Sequence, residues 1–205
     1  MLLRALLINV SMNELSLADV ARISTGKSHF DDPNKTYAPE DNEQLVRALF
    51  VAGHWSIFEF LNVVYLIDAP CYVRDQLIRY RCASYNARSL RKCEPLPIEN
   101  PESPCETFYN DVALKEYREA INSGAKKEEA RAFLPVCAPT QWIVNYNVRE
   151  LFHVFDQRLV PAAQNETREV VKEMLDRFSV ACPLLARLWK DRYHRNHHVG
   201  YAYPQ

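Results

Sequence analysis

Residues 79–92, RYRCASYNARSLRK, are the most distinctive stretch of this sequence. They include four arginines and one lysine, two serines and an asparagine, and no acidic residue. The whole chain has a formal net charge of only −1. A general nucleic-acid-binding protein usually carries a basic excess over a whole face. This arginine-rich segment therefore predicts a local site for a small anion, where a helix ends and a loop begins.

The side chains of the segment favour phosphate as that anion. Between Arg74 and Lys92 there are six cationic side chains and one acidic side chain, Asp75. Arginine binds phosphate through paired hydrogen bonds, and each charge-assisted hydrogen bond contributes about 1.5–3 kcal/mol. A solvated basic face is the alternative interpretation.

Common nucleotide-binding and nucleophile motifs are absent from the sequence. Its four glycines form neither GxGxxG nor GxxxxGK[ST], so neither a Rossmann nor a Walker loop is predicted. There is no GxSxG elbow, and Cys71 has no candidate base beside it, which indicates a buried structural thiol. Side chains on a helix end and its loop are therefore predicted to hold the phosphate.

Length and composition predict one soluble cytoplasmic domain, residues 1–205, without nucleic-acid or membrane partners. The apolar start MLLRALLINV is interrupted by Arg4 and is about half the length of a membrane span, so it predicts a buried strand. Six scattered cysteines without a CxxC pair indicate reduced thiols. No metal is expected. A zinc site at His194, His197 and His198 is the weaker alternative, because no fixed ligand spacing with cysteines accompanies them.

Periodicity predicts an α+β fold, a small mixed sheet with long helices. Ser16 and Asp68 are candidate helix caps, Pro183 is expected to end or kink the last helix, and residues 93–105 are too rich in proline to be regular. The predicted strands are 2–10 and 61–67, and the predicted helices are 16–24, 41–53, about 71–81, 107–124, 126–134, 147–159 and 164–181.

The arginine-rich segment resembles the signature RHRxxSxNxxSxRY of flavin-dependent thymidylate synthases. GHWSIFEF (53–60), REAINSGAKKEEARAFLP (118–135), NYNVRELFHVFDQR (145–158) and AAQNETR (162–168) also resemble family segments, so the resemblance covers most of the chain. The matching signature positions are Arg79, Arg81, Ser84, Asn86, Ser89 and Arg91.

The resemblance implies a chemistry that needs no cysteine nucleophile. In that family, reduced FAD passes a hydride to the pyrimidine of dUMP, methylenetetrahydrofolate supplies the one-carbon unit, and NADPH is the expected reductant. It also implies the family's fold and a homotetramer whose chains share the flavin and nucleotide sites.

Carried over position by position, the resemblance assigns expected roles to individual residues. Ser89 and Arg168 are the expected catalytic residues. The nucleotide is expected at Gln76, Ser89, Leu90 (through its backbone), Arg91 and Arg168. The flavin is expected at Ser24, His54, Ser56, Glu59, Arg79, Tyr80, Arg81, Asn86 and Arg158.

Several positions depart from the family pattern and keep alternatives open. Lys92 is a candidate to replace the positive charge that is missing at Gln141. The alternatives are a relative that methylates UMP or another pyrimidine nucleotide, a flavin- or nucleotide-binding homologue without turnover, and a structural protein with a basic face. The departures are Tyr80 for the signature histidine, Lys92 for its tyrosine, Phe60 for a second histidine, Gln141 for a nucleotide-binding arginine, and Asp156 and Ala162 for asparagine and histidine.

Overall fold

The computed structural model describes residues 3–29 and 31–198, with side chains as far as residue 194. Short 3₁₀ turns cover Glu14–Ser16, Trp55–Glu59 and Arg131–Phe133, and Tyr109–Ala113 form a π-helical turn. The strands are β1 Arg4–Val10, β2 Asn62–Pro70, β3 Ala83–Ala87 and β4 Pro139–Asn147. The helices are α1 Leu17–Ile23, α2 Pro39–Ala52, α3 Cys71–Leu77, α4 Pro104–Phe108, α5 Leu114–Asn122, α6 Lys127–Ala130, α7 Val148–Arg158, α8 Asn165–Ala181 and α9 Pro183–His198.

The four strands form one sheet in the order β1-β2-β4-β3, and every pair is antiparallel. The sheet is thus antiparallel rather than mixed, while the α+β class is confirmed. One face packs on the core with α7, α8 and α9. Large side chains that are fully buried there contribute about 1.5–3 kcal/mol each. They include Tyr65 and Ile67 of β2, Trp142, Val144 and Tyr146 of β4, Phe152 and Phe155 of α7, and Phe178 of α8.

The opposite face of the sheet, called here the outer face, is only partly covered within one chain. Leu6 pairs with Leu66 and Leu66 with Ile143, so an apolar row crosses β1, β2 and β4, and Ile143 pairs in turn with Asn86 of the arginine-rich segment. Ile143 is 43% exposed, although β4 is an inner strand of the sheet.

Local sequence signals explain where the helices begin and end. Pro39 lies in the first turn of α2, and Gly53 ends the helix with φ +75°, a conformation that favours glycine. The Asn147 side chain accepts a hydrogen bond from Glu150 N (2.8 Å) and caps α7 directly after β4. Because strand and helix are joined without a loop, α7 starts beside the arginine-rich segment.

Two strands were not predicted, and the predicted helix 71–81 is too long. α3 ends at Leu77. Residues 83–87 then form β3, with Ala83 and Tyr85 half-buried and Ser84 and Asn86 exposed. This alternation is typical of an edge strand, but in the sequence the surrounding charges obscure it. β4 was not predicted either, although its buried residues alternate with more exposed ones along the whole strand.

Ser16 occupies the predicted N-cap position of α1 without a capping bond, the predicted cap at Asp68 is wrong, and the remaining predicted elements agree within a few residues. Ser16 makes no capping hydrogen bond, and Asn13 accepts one from Leu15 N (2.8 Å) instead. Asp68 lies inside β2, where its carboxylate receives hydrogen bonds from Arg4 and Gln141. α2 begins at Pro39, before Asp41, because proline fits the first helical turn. α8 ends before Pro183 as expected, and a new helix, α9, starts there.

The cysteines differ from the prediction of six reduced thiols. Cys105 and Cys137 form a disulfide that joins the start of α4 to the segment before β4. Packing beside Ile98 and Tyr109 brings them together, and their separation of 32 residues in the sequence gave no sign of it. The free thiols are Cys71, Cys82, Cys93 and Cys182.

Neither a membrane span nor a metal cluster is found among the described residues. None of their helices combines the length and apolarity that crossing a membrane requires. No group of three or more potential metal ligands is found within residues 3–29 and 31–198. The alternative zinc site includes the side chains of His197 and His198, which lie outside the description.

Candidate active site

The arginine-rich segment consists of a turn, an edge strand and a tight loop. The turn holds the exposed Arg79 and Arg81, and β3 carries Ser84 and Asn86 on the outer face. Arg88 N donates to Gln141 O (2.8 Å), which continues the β3–β4 ladder to the start of the loop. The segment is therefore fixed along β4, and its polar side chains point away from the core.

The loop of residues 88–93 is closed by its own backbone. Lys92 N and Cys93 N both donate to Ser89 O, at 3.0 and 2.8 Å. Arg91 N lies 3.4 Å from Ser89 Oγ, which can accept its hydrogen. The Ser89 hydroxyl hydrogen is then available for a ligand, beside the exposed Arg91 guanidinium.

Gln76, Tyr80 and Arg158 come together behind the turn. Arg158 Nη2 donates to Gln76 O (3.1 Å), and the Arg158 guanidinium lies 5.5 Å from the centre of the Tyr80 ring. Arg158 Nε is buried and has no hydrogen-bond partner among the described residues. Burial raises the pKa of the Tyr80 hydroxyl, against the lowering effect of Arg158. This cluster thus offers a protonated phenol and an unused cationic donor.

His153 contacts this cluster and was missed as a site residue. Its ring centre lies 5.5 Å from that of Tyr80, at 76° to it. His153 also lines a cavity of about 350 Å³ with Arg149 and Trp55. Arg149 and His153 are four residues apart on one face of α7, so helical spacing could have identified the pair.

The cavity reaches the turn that holds His54, Ser56 and Glu59. Glu59 forms an ion pair with Arg149, which joins this turn to α7. All three turn residues are exposed. The structure therefore places these predicted flavin-binding residues at one end of α7, while Tyr80 lies beside His153 in the next turn of the same helix.

Asp156, one of the family departures, supports the fold. Its carboxylate accepts hydrogen bonds from Trp189 Nε1 (2.8 Å) and Arg192 Nη2 (2.6 Å). It therefore anchors α9 to α7, and Asp156 and Arg192 line the far side of the same cavity.

Ser24 and Arg168 are held by local contacts. Ser24 Oγ donates to Ala21 O (2.9 Å) at the end of α1. Arg168 donates to Pro161 O (3.0 Å) and Asn165 Oδ1 (2.6 Å) at the start of α8. Arg91 instead pairs with Glu128 (Nε to Oε2, 3.0 Å). These contacts do not join the two predicted nucleotide-binding arginines within one chain.

Gln141 lies in a charged row at the end of the outer face. Its Nε2 donates to Asp68 Oδ1 (2.7 Å), and Arg4 Nε donates to Asp68 Oδ2 (2.8 Å). The three side chains line a cavity of about 550 Å³. Lys92, the candidate replacement, lines a separate cleft. The cation beside Gln141 is thus Arg4, which the sequence interpretation missed because strand pairing brings it there.

Two of the free thiols, those of Cys71 and Cys182, are poorly suited to nucleophilic attack. Burial raises the pKa of Cys71, and it raises the pKa of Cys182 to about 12. Both therefore stay protonated near neutral pH, and the reactive form of a cysteine is the thiolate. This supports the prediction that Cys71 is structural.

The residues present fit a flavin dinucleotide. Exposed guanidinium groups suit its pyrophosphate, and the buried Arg158 Nε lacks a partner. The fold and site therefore define a class: an α+β protein that displays arginines in the turn before an edge strand and in the loop after it, where they can hold phosphorylated ligands.

Comparison with known proteins identifies the family within this class. The family described as "Thymidylate synthase complementing protein" matches residues 6–184, so the chain belongs to it. The flavin-dependent thymidylate synthase of Sulfurisphaera tokodaii is 30% identical over 187 residues, 85% of this chain and 72% of that protein. The protein of the same name from Geobacter sulfurreducens is 28% identical over 89% of this chain and 84% of its own. The chain is thus a flavin-dependent enzyme of this family, as its signature indicated.

Solved structures show the same fold at lower identity. The UMP/dUMP methylase PolB from Streptomyces cacaoi, bound with 5-Br dUMP, superposes with a TM-score of 0.78 at 22% identity, over 92% of this chain and 95% of that one. Its complex with 5-Br UMP gives a TM-score of 0.74 at 23% identity, over 92% and 94%. The likeness confirms the family fold that the resemblance implied.

Proposed function

We propose that this enzyme methylates C5 of a uridine nucleotide, with dUMP as its default substrate and methylenetetrahydrofolate as the one-carbon donor. FAD is the proposed flavin and NADPH the proposed reductant. The observation that carries the proposal is the display of all six signature side chains along one turn, strand and loop, in a chain where burial keeps the Cys71 and Cys182 thiols protonated. We also place the reaction in the cytoplasm: the four free thiols suit that compartment, whereas a disulfide such as Cys105–Cys137 is rare there.

The residues around α7 are the proposed flavin site. When bound and reduced, FAD supplies the hydride. Tyr80 provides an aromatic surface and a protonated hydroxyl, and Arg158 holds a cation beside it. The remaining proposed contacts are Ser24, His54, Ser56, Glu59, Arg79, Arg81 and Asn86, which are exposed in a single chain.

The loop of residues 88–93 is the proposed nucleotide site. Ser89 Oγ and the Leu90 backbone orient the nucleotide, Arg91 neutralises its phosphate, and Gln76 closes the site from α3. Arg168 binds the uracil ring. Ser89 and Arg168 are the proposed catalytic residues because both would contact the reacting base.

The site is proposed to form between the chains of a homotetramer. Arg91 and Arg168 each bind groups in their own surroundings within one chain. The apolar row on the outer face ends at Ile143, which pairs with Asn86, so a second chain that covers this row also approaches the arginine-rich segment. Light scattering should report about four times 23.8 kDa. A stable monomer in the presence of FAD would exclude the shared site.

The reaction is tested by release of tritium from the C5 position of labelled dUMP. Purified protein should bind FAD and release tritium only when methylenetetrahydrofolate and NADPH are both present. Mass spectrometry should detect dTMP. Bound FAD without tritium release would identify a homologue without turnover. If FAD does not bind at all, the proposed function is wrong.

UMP is the second candidate substrate. The Gln141 amide nitrogen donates to one carboxylate oxygen of Asp68, and Arg4 donates to the other. Position 141 therefore supplies no positive charge to a nucleotide. A site that merely has room for a hydroxyl rejects it weakly, by about 100-fold or less. We expect UMP to bind within about 100-fold of dUMP, and Gln141→Arg to shift the preference towards dUMP. A thousandfold or larger preference of the unaltered protein for dUMP would exclude this candidate.

A further inference from the structure

A basic cleft of about 200 Å³ adjoins the loop that carries Arg91. The cleft lies between this loop and the start of α6. Four of its five lining residues are cationic, and the expected nucleotide and flavin contacts include only one of them. The lining residues are Arg91 and Lys92 of the loop, and Lys126, Lys127 and Glu128 at α6.

Two ion pairs hold the walls of the basic cleft together. Lys127 Nζ lies 2.6 Å from Glu94 Oε1 and donates to Lys92 O at 3.4 Å. Arg91 pairs with Glu128 across the cleft. The loop is thus joined to α6 both through the Lys92 backbone and through the Arg91 side chain. These contacts limit the distance between the cations on the two sides of the cleft.

Two further cations in the basic cleft have no acidic partner. In the part of the chain that the structure describes, neither Lys92 nor Lys126 forms an ion pair. Four cations face Glu128, the adjoining Glu94, and Glu129, whose carboxylate accepts a hydrogen bond from Lys126 N (2.9 Å), which leaves an excess of one positive charge. Like charges in one cleft repel, and a bound anion removes that repulsion.

We propose that the basic cleft is an anion subsite, in which Lys92 and Lys126 bind an acidic group of a substrate held at Arg91. The proposal rests on the proposed function. Two sources have the required chemistry: the 5′-phosphate of the nucleotide, and the carboxylates of the glutamate chain that folates carry. Both are anions that extend from a ring bound elsewhere.

Calorimetric titration of the FAD-loaded full-length protein tests the subsite. Lys126→Gln should weaken binding of the anion about two- to fivefold, and Lys92→Gln with Lys126→Gln about tenfold, because exposed charges are screened by solvent. Lys115→Gln is the control, since Lys115 is also an exposed lysine but lies on α5 outside the cleft, 3.7 Å from Glu119. The probes are dUMP, deoxyuridine, and tetrahydrofolate with one or with four glutamates.

The ligand that responds identifies the source of the anion. If the lysine variants weaken dUMP but not deoxyuridine, the subsite holds phosphate. If they remove the extra affinity of the longer glutamate chain, it holds the folate. Variants that match Lys115→Gln for every probe overturn the proposal.

Turnover separates this proposal from the proposed function. If the unaltered protein releases tritium but the cleft variants match the control, only the subsite is wrong. If the variants weaken a ligand but the unaltered protein releases no tritium, the subsite stands and the proposed reaction fails.

Discussion

Tyr80 departs from the family signature, and a neighbouring side chain supplies the imidazole that the departure removes. The side chain takes the place of the signature histidine, and its ring packs against His153 of α7. An imidazole is therefore present next to the position where the signature has one. The raised pKa of the Tyr80 hydroxyl keeps it a hydrogen-bond donor over the physiological range. The departure thus changes the geometry of the proposed flavin site, while an imidazole and a hydrogen-bond donor are both still present there.

Replacement of Arg91 should weaken nucleotide binding much more than flavin binding. Arg91→Ala should lower dUMP affinity roughly ten- to a hundredfold, because one charge-assisted contact is worth about 1.5–3 kcal/mol. FAD affinity should change little. Both affinities can be measured by titration of the same preparation.

Glu128→Gln is the matched control for Arg91→Ala. Arg91→Ala also leaves Glu128 without its partner in the basic cleft. Glu128→Gln removes that carboxylate while Arg91 remains, so it should leave dUMP affinity unchanged or raise it. Equal losses of dUMP and FAD binding in Arg91→Ala would instead show that the loop has collapsed.

Replacement of Cys71 tests whether the reaction needs a thiol. Burial raises its pKa, so the thiol is protonated and packed beside the small cluster that contains Tyr109 and Cys137. Cys71→Ala should keep most of the tritium-release activity and lose only modest stability. A variant that is folded and binds FAD but is inactive would contradict the proposed mechanism.

At the scale of elements, Glu14 joins the start of α9 to the 3₁₀ turn before α1. Its carboxylate accepts hydrogen bonds from Leu184 N (3.0 Å) and Leu185 N (2.9 Å), and Glu14 is only 8% exposed. Burial is the largest influence and raises its pKa above the ordinary value of 4.5, although the two backbone donors oppose this. Ionised Glu14 is therefore less favourable in the folded chain than in the unfolded chain.

Glu14→Ala should destabilise the protein by about 1–3 kcal/mol, because two buried backbone donors lose their acceptor. A raised pKa contributes stability below the unfolded pKa of 4.5, and this contribution is lost as the pH rises through the higher folded pKa. The melting temperature of the unaltered protein relative to Glu14→Gln should therefore fall as the pH rises above about 4.5. A constant difference between pH 4 and 7 would contradict the direction of the shift.

The sequence predicted α7 and α8 to within a residue, because their apolar stripes are long and Pro183 marks the end of α8. It did not predict β4 or α9, although both are also long. β3 has five residues and is flanked by arginines, so its alternation carried little weight. Its strand character comes from pairing with β4, a contact between distant parts of the chain that local patterns do not contain.

The same limit applies to the site. The resemblance assigned Gln76 to the nucleotide and Tyr80 and Arg158 to the flavin, and in the structure the Arg158 side chain contacts both the Gln76 backbone carbonyl and the Tyr80 ring. Arg4 and His153 were missed, because strand order brings one beside Gln141 and helix packing brings the other beside Tyr80. Family motifs thus predict which residues bind the ligands. The neighbours of those residues depend on tertiary structure, which the motifs do not contain.

At the scale of the whole molecule, the outer face and the separated arginines lead to the same expectation. Arg91 and Arg168 are held by contacts in different parts of one chain, while the exposed Ile143 lies on the face that ends at Asn86. If two chains build each site, Arg91 of one chain and Arg168 of another act on the same nucleotide. In that case, no other residue of the same chain compensates for the loss of either arginine.

Mixing two inactive variants tests this arrangement directly. Arg91→Ala and Arg168→Ala should each lose most activity. When the two are coexpressed, or unfolded and refolded together, random assembly gives about one quarter of the sites both wild-type arginines, so about a quarter of the activity should return. Each variant refolded alone is the control and should stay inactive. If the mixture stays inactive although an affinity tag on one variant copurifies the other, both arginines act within one chain and the shared site is wrong.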